Sequence, residues 1–411
     1  VIAELRGELT HAALETALRK LETRHPLLRA RIVRDDQRIT LEPGFGAPIP
    51  LLIESGDEQR LRALSASAIE HRQWSDAGPR AELTWLTMDA GRSALLLRLH
   101  HLVSDGSSGM IAMRDLLSFV AQPDQRVDPI DSPGIRAFLP RGHGGLADLG
   151  RTVWMEARAF AAPKPQRLRA KECPPSQRVC ELRTIELSSE DTGRLIARAR
   201  RDATTAHGVL CAALSLAVAT EIGGTTRQRF IHPVDLRRYL LSRHPELPSV
   251  GERVGYYVSS VDTDHRADGS MPLATVAAAI TAGIRHAKEK GEPLLTGPVA
   301  GAWVAHITRR MSPARFCKLA ERELMLATAS ITNLGPLEPL GLRPDVGPLR
   351  VDNVYFVAAG SVLSTLGGSA SSFNGRLRFN LTAAIPVVEP AAFERISERV
   401  RESVAAYAQP T

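Results

Sequence analysis

Apolar and polar positions along this chain repeat with helical and strand periods, and the switches between them define elements. Leu14, Ala17, Leu18 and Leu21 recur at helical spacing. Residues 10–24 therefore predict a helix, with Thr10 suited to cap it and Pro26 past its end. Residues 27–33 and 38–42 predict strands around a polar Asp35-Asp36-Gln37 turn. A second helix is expected over 57–71. Residues 81–88 and 93–100 predict an antiparallel pair that turns at Asp89-Ala90-Gly91. Met110, Met113, Leu116 and Leu117 then mark one face of a helix over 107–119. The order helix, strand, strand, helix, strand, strand, helix suits an α+β layered sandwich.

The pattern weakens over 122–180, where prolines cluster and one helix, 146–160, interrupts them. It sharpens again in a strand at 179–187 and a helix at 189–202, with Ser188 and Asp191 placed for its N-terminus. A helix at 205–222, strands at 228–234 and 254–262, and an alanine-rich helix at 272–290 follow. The chain closes with a helix over 390–408, Pro390 in its first turn and Phe393, Ile396, Val400, Val404 and Tyr407 on one face. The second half repeats the composition of the first without visible repetition of sequence. At 411 residues the chain exceeds one ordinary core. The expected division is a first subdomain over 1–165, a crossover linker over 166–178 and a second subdomain over 179–411.

Composition narrows the class. Hydrophobic residues at 44% and charged residues at 24% give a globular balance, not a disordered one. The most apolar helical stretch, Val209 to Ala219, is too short for an integral membrane segment. The opening VIAELRGELT lacks the charged and apolar regions of a signal peptide, so a cytoplasmic location is expected, although a chain that does not begin with Met leaves trimming open. Cys173, Cys180, Cys211 and Cys317 are expected as reduced thiols. The excess of basic residues is mild and spread out, with one local cluster at Lys164, Arg167, Arg169, Lys171 and Arg178. Aromatics at 5% do not supply the interleaving of a nucleic-acid surface, so no nucleic-acid partner is expected. A basic face instead suits an acidic protein or a phosphorylated arm.

The chemistry concentrates in RLHHLVSDGSSG, residues 98–109, where an apolar run, Ala94 to Leu97, meets a polar turn before a helix. Histidine moves protons near neutral pH better than any other side chain. If Leu95, Leu97 and Leu99 share one face of a strand, His101 continues it and His100 lies opposite. The two histidines then have different jobs and are poorly placed to ligate one ion, so no metal is expected there. Asp105 can reach a ring or pair with a distant arginine. Gly106 suits a tight turn or a close backbone approach. Ser104, Ser107 and Ser108 lack the surroundings of a nucleophile elbow.

HHLVSDG matches the HHxxxDG signature of the superfamily that includes chloramphenicol acetyltransferase, the condensation domains of nonribosomal peptide synthetases, and polyketide-associated and alcohol acyltransferases. Other segments resemble it in order: RHPLLR at 24–29, the helix 204–219, VDLR at 234–237, VGYYVSS at 254–260, SITNLGP at 330–336 and the late hairpin FNGRLRFNL at 373–381. The resemblance thus spans nearly the whole chain. It implies two chloramphenicol acetyltransferase-like α/β sandwich subdomains forming a pseudo-dimer with a channel between them.

The activity implied is acyl transfer from a thioester to an alcohol or amine, with His101 as general base and no acyl-enzyme. Asp105 is then structural, pairing with an arginine; Arg237 is the first choice, with Arg24, Arg29 and Arg285 as rivals. His100 becomes an inward hydrogen-bonder, and Gly106 a point of close packing where a side chain would narrow the channel. Tyr256, Tyr257, Asn333 and Gly335 are substrate-channel candidates, Asn333 and the backbone near Gly335 also for the oxyanion. ITNLG stands where plant acyltransferases have DFGWG, so the role of that aspartate does not transfer. No permanently bound cofactor is expected. The donor is expected to be a phosphopantetheine thioester, on an acyl carrier protein or as acyl-coenzyme A, carrying a polyketide or fatty acyl group. Lys164, Arg167, Arg169 and Lys171 are candidates for carrier docking, and a small-molecule alcohol is the preferred acceptor. An amide-forming condensation enzyme and a non-catalytic recruitment module are the alternatives.

Overall fold

The protein is described here from a computed structural model. The residues it describes are 1–34, 39–69, 74–168, 170–174, 177–301, 311–319, 327–358 and 364–410. The strands are β1 (Ile2–Arg6), β2 (Arg31–Arg34), β3 (Ile39–Glu42), β4 (Leu51–Ser55), β5 (Ala81–Thr87), β6 (Arg92–Leu99), β7 (Val179–Glu186), β8 (Thr226–Asp235), β9 (Val258–Ala267), β10 (Ala329–Pro336), β11 (Asp345–Val346), β12 (Leu349–Tyr355), β13 (Leu366–Phe373) and β14 (Arg376–Ile385). The main helices are α1 (His11–Arg24), α2 (Glu58–Ser67), α3 (Gly106–Ala121), α4 (Leu146–Ala161), α5 (Ser189–Arg201), α6 (Ala206–Ile222), α7 (Leu236–Arg243), α8 (Leu273–Glu289) and a C-terminal helix, Pro390–Tyr407.

Among the described residues these form two six-stranded sheets and a small β2–β3 hairpin. The first sheet runs β11-β12-β1-β6-β5-β4 and the second β7-β14-β13-β10-β8-β9. Strand β6 explains the apolar run that precedes the histidines. Its Leu95 and Leu97 face α1 and α3, packing with Leu18, Leu21, Met113 and Leu116. Its Ala94 and Leu96 join Leu61 of α2 and Leu86 on the other face. A strand covered on both faces is continuously apolar and does not alternate. In the second half, α6 is buried all round between the sheet, α8 and the C-terminal helix, which is why its sequence shows no polar face.

The two halves interlock. β12 pairs antiparallel with β1, so the 179–411 stretch supplies strands to both sheets. Leu337, Leu342 and Phe373 from the second half lie in the first half's core. The RHPLLR element has a packing role: His25 Nε2 meets Asp115 of α3 at 2.8 Å, fully buried. Arg114 then ties Asp115 to Glu252 and to the Leu340 carbonyl across the halves. Strands β1, β4 and β12 are too short or too polar in pattern to be visible in the sequence. No single described helix is long and apolar enough to cross a membrane; α5 and α6 meet that test only as a pair bent by 91°. The expected Asp35-Asp36-Gln37 turn falls outside the described residues.

Candidate active site

β6 ends at Leu99, and residues 100–105 form the turn into α3. Arg80, wholly buried, fastens this turn from below. Its side chain donates to the carbonyls of Ala30 and Gly78, and its own carbonyl accepts from the His100 N–H. His100 is half-buried, edge-on to Trp74, and its Nδ1 accepts from the Leu102 N–H at 3.0 Å. Burial, with Arg80 and His101 nearby, lowers its pKa and keeps it neutral.

His101 is exposed and stands edge-to-face with Tyr256, ring centroids 5.3 Å apart. Its Nδ1 lies 2.7 Å from the Ser104 carbonyl oxygen. A carbonyl only accepts, so Nδ1 carries the proton and Nε2 presents a lone pair. The orienting partner is thus a backbone carbonyl three residues on. Asp105 does not take this part.

Asp105 turns the other way. It caps α3, accepting from the Ser108 N–H at 2.8 Å. Arg237 Nη1 donates to both its oxygens, at 3.1 and 2.9 Å, and the Tyr257 N–H adds a bond of 2.8 Å. Arg237 also donates through Nη2 to Ser108 Oγ and the Arg253 carbonyl, and its guanidinium lies 4.8 Å from the Tyr257 ring centroid. Burial works against the Arg237 charge, but Asp105 and Asp235 outweigh it and hold its pKa above the ordinary value. Two rivals are engaged elsewhere, Arg24 with the Asp128 carbonyl and Arg29 with Gly46 and Glu22, and Arg285 lies on α8.

A narrow cleft opens between the halves beside this turn, with Gly106 and Ser107 on one side and Asp235, Arg238, Asn333 and Leu334 on the other. His101 itself is not in its lining. Asn333 accepts from the Gly335 N–H at 2.8 Å through Oδ1, which leaves its Nδ2 to donate. Gly335 does not line this cleft and holds φ at +70°. Tyr256 is 49% exposed, whereas Tyr257 is 1% exposed and packs against Phe138, so it touches the site through its backbone. The serines of the motif are used structurally: Ser107 Oγ donates to Asp235, Ser108 Oγ to the Gly255 carbonyl, and Ser104 Oγ to the His100 carbonyl. Asp235, Arg238, Arg80 and Trp74 were not singled out by the sequence. Only Asp235, inside VDLR, had a local signal.

A Cβ on Gly106 would lie 3.2 Å from Leu334 Cδ2. Gly106→Val is expected to push Leu334 and narrow the cleft, raising KM for a bulky substrate by roughly tenfold while small substrates change less. Steady-state kinetics on acyl donors of two lengths check this.

The family described as "Phthiocerol/phthiodiolone dimycocerosyl transferase C-terminus" matches residues 176–381. The chain belongs to this family. It thereby falls in the chloramphenicol acetyltransferase-like superfamily of condensation domains and acyltransferases, and it is a domain of condensation/acyltransferase type. Chondramide synthase of Chondromyces crocatus is 25% identical over 292 residues, 66% of this chain. The chain spans 7% of that protein's length. Among solved structures, the TRI3 trichothecene 15-O-acetyltransferase of Fusarium sporotrichioides aligns over 99% of this chain and 90% of its own, at 13% identity and a TM-score of 0.72. Polyketide synthase associated protein 5 of Mycobacterium tuberculosis aligns over 100% and 93%, at 17% identity and 0.65. These likenesses show that the chain shares the mixed helix-and-sheet fold of these neighbours.

Proposed function

We propose that this chain transfers an acyl group from a phosphopantetheine thioester to an alcohol, with His101 as general base. The observation that carries the reading is the Ser104 carbonyl on Nδ1 of the exposed His101, which in the neutral ring leaves Nε2 as the lone-pair nitrogen just past the end of β6. The acceptor O–H proton passes to Nε2 as the oxygen attacks the thioester carbonyl. The tetrahedral oxyanion collapses, the C–S bond breaks, and the proton returns to the departing thiolate. No protein nucleophile is needed because the thioester is already activated, and Ser104, Ser107 and Ser108 all spend their hydroxyls on structure. Asn333 is the side chain we assign to the oxyanion. The family's description as a transferase and a 15-O-acetyltransferase among the structural neighbours support oxygen over nitrogen as the acceptor. Incubation with an acyl carrier thioester or acyl-coenzyme A, and a panel of alcohols and amines, tests this by intact mass. Ester products support the reading; amides alone, or no transfer with any acceptor, overturn it.

We assign the donor to a carrier protein. Lys164 and Lys171 are exposed on the segment that leads into β7, and Gln166 ties that segment to the Arg227 backbone. Arg167 is half-buried there, and Arg169 lies outside the described residues. The double reversal Lys164→Glu/Lys171→Glu is expected to raise KM for a carrier-bound donor by roughly tenfold and to leave the free coenzyme A thioester within about twofold. Equal effects on both donors would remove the docking role.

A further inference from the structure

α6 brings a histidine and a cysteine against a buried histidine of β8. His207 and Cys211 sit one turn apart on the helix. His207 Nε2 lies 2.9 Å from His232 Nδ1 of β8, and Cys211 Sγ lies 3.5 and 3.9 Å from those same two nitrogens. All three donor atoms thus converge on one point in the second half's core. An ion with metal–nitrogen bonds of about 2.0 Å and a metal–sulfur bond of about 2.3 Å holds such donors roughly 3–4 Å apart. His232 has the outer contact expected of a ligand: its Nε2 meets Thr263 Oγ1 at 2.8 Å, leaving Nδ1 toward the cluster. A partly buried imidazole, a buried imidazole and a buried thiol brought together inside the fold are costly unless they serve each other or an ion.

We propose that His207, Cys211 and His232 form a binding site for one thiophilic d10 metal ion, Cu⁺ or Zn²⁺. On binding, the Cys211 S–H proton leaves to solvent and a metal–thiolate bond replaces it. One thiolate and two neutral imidazoles carry a single negative charge, so Cu⁺ gives a neutral three-coordinate centre, while Zn²⁺ needs a fourth donor and leaves excess positive charge. The ion would clamp α6 to β8. That strand runs on through Pro233 to Asp235 in the cleft wall, and Arg237 follows at the start of α7.

The test uses the purified chain. Metal content is measured after expression in media supplemented with each ion. Metal-stripped protein is then titrated under reducing conditions with Cu⁺ against a chromogenic chelator, with Zn²⁺, and with Co²⁺ as a spectroscopic stand-in. One equivalent of Cu⁺ or Zn²⁺, a thiolate-to-cobalt charge-transfer band and a higher melting temperature are expected. Cys211→Ser should lose the band and weaken binding by roughly 100-fold. His207→Gln keeps a hydrogen-bond donor to His232, so it guards against simple unfolding, and it should lose binding too. If neither ion binds the wild type more tightly than both variants, the residues are a hydrogen-bonded core cluster and the proposal fails.

Discussion

His101→Ala is expected to slow acyl transfer by roughly 10²–10⁴-fold, the usual contribution of a positioned general base. Its melting temperature should stay within a few degrees of the wild type. The ring is exposed, its polar bond is one contact with a carbonyl of its own turn, and its neighbour Tyr256 is half-exposed, so little packing is lost. The loss should fall on kcat more than on KM, because the imidazole acts on the acceptor's proton as attack proceeds and does little to hold either substrate. His100→Ala provides the contrast. His100 accepts from Leu102 and lies against Trp74, so its loss should loosen the turn and cost stability along with activity. A His101→Ala enzyme that transfers at the wild-type rate would end the mechanism. Single-turnover intact mass and a thermal melt separate the two variants.

The fold was legible where period and punctuation agreed. Thr10, Ser188 and Thr205 cap the helices that the pattern placed, and the helix 390–407 buries the face read from Phe393 to Tyr407. Long apolar stripes carry that much information. The short edge elements do not: β4 exposes Leu52 and Ile53, and β12 joins a sheet that begins some 340 residues earlier. Nothing local marks such a pairing, because the partner strand alone decides it.

The candidate site divides the same way. The turn could be read as strand, polar corner and helix because three local signals coincide there. The partner of Asp105 came only through the resemblance to VDLR; the residue pattern alone allowed four arginines. The Ser104 carbonyl on His101 left no trace in the sequence, since any residue supplies a carbonyl. Tyr257 looked like a channel residue beside Tyr256. Consecutive residues in extended chain point opposite ways, and this one points into the core.

Asp105→Ala is expected to be the most destabilising single change in the motif. It removes the acceptor of four hydrogen bonds: one from Ser108 N–H, two from Arg237 and one from Tyr257 N–H. It also strands the Arg237 guanidinium, whose side chain is 9% exposed, with Asp235 at 3.3 Å the one carboxylate left paired with it among the described residues. Breaking a buried pair from one side costs about 3–5 kcal/mol, most of it the uncompensated charge left behind. That cost predicts the rescue. Arg237→Met added to Asp105→Ala removes the stranded charge, and the double variant should be more stable than Asp105→Ala alone. Activity should not recover with it. Asp105 and Arg237 join α3 to the 253–257 segment, and Tyr256, the neighbour of the His101 ring, lies in that segment. Denaturant melts of the four corners of the cycle, with transfer rates taken well below each midpoint, separate stability from positioning. Rescue of stability without rescue of rate places the pair in the aiming of His101. Recovery of both would make it a staple only, and a wild-type melt for Asp105→Ala would deny it even that.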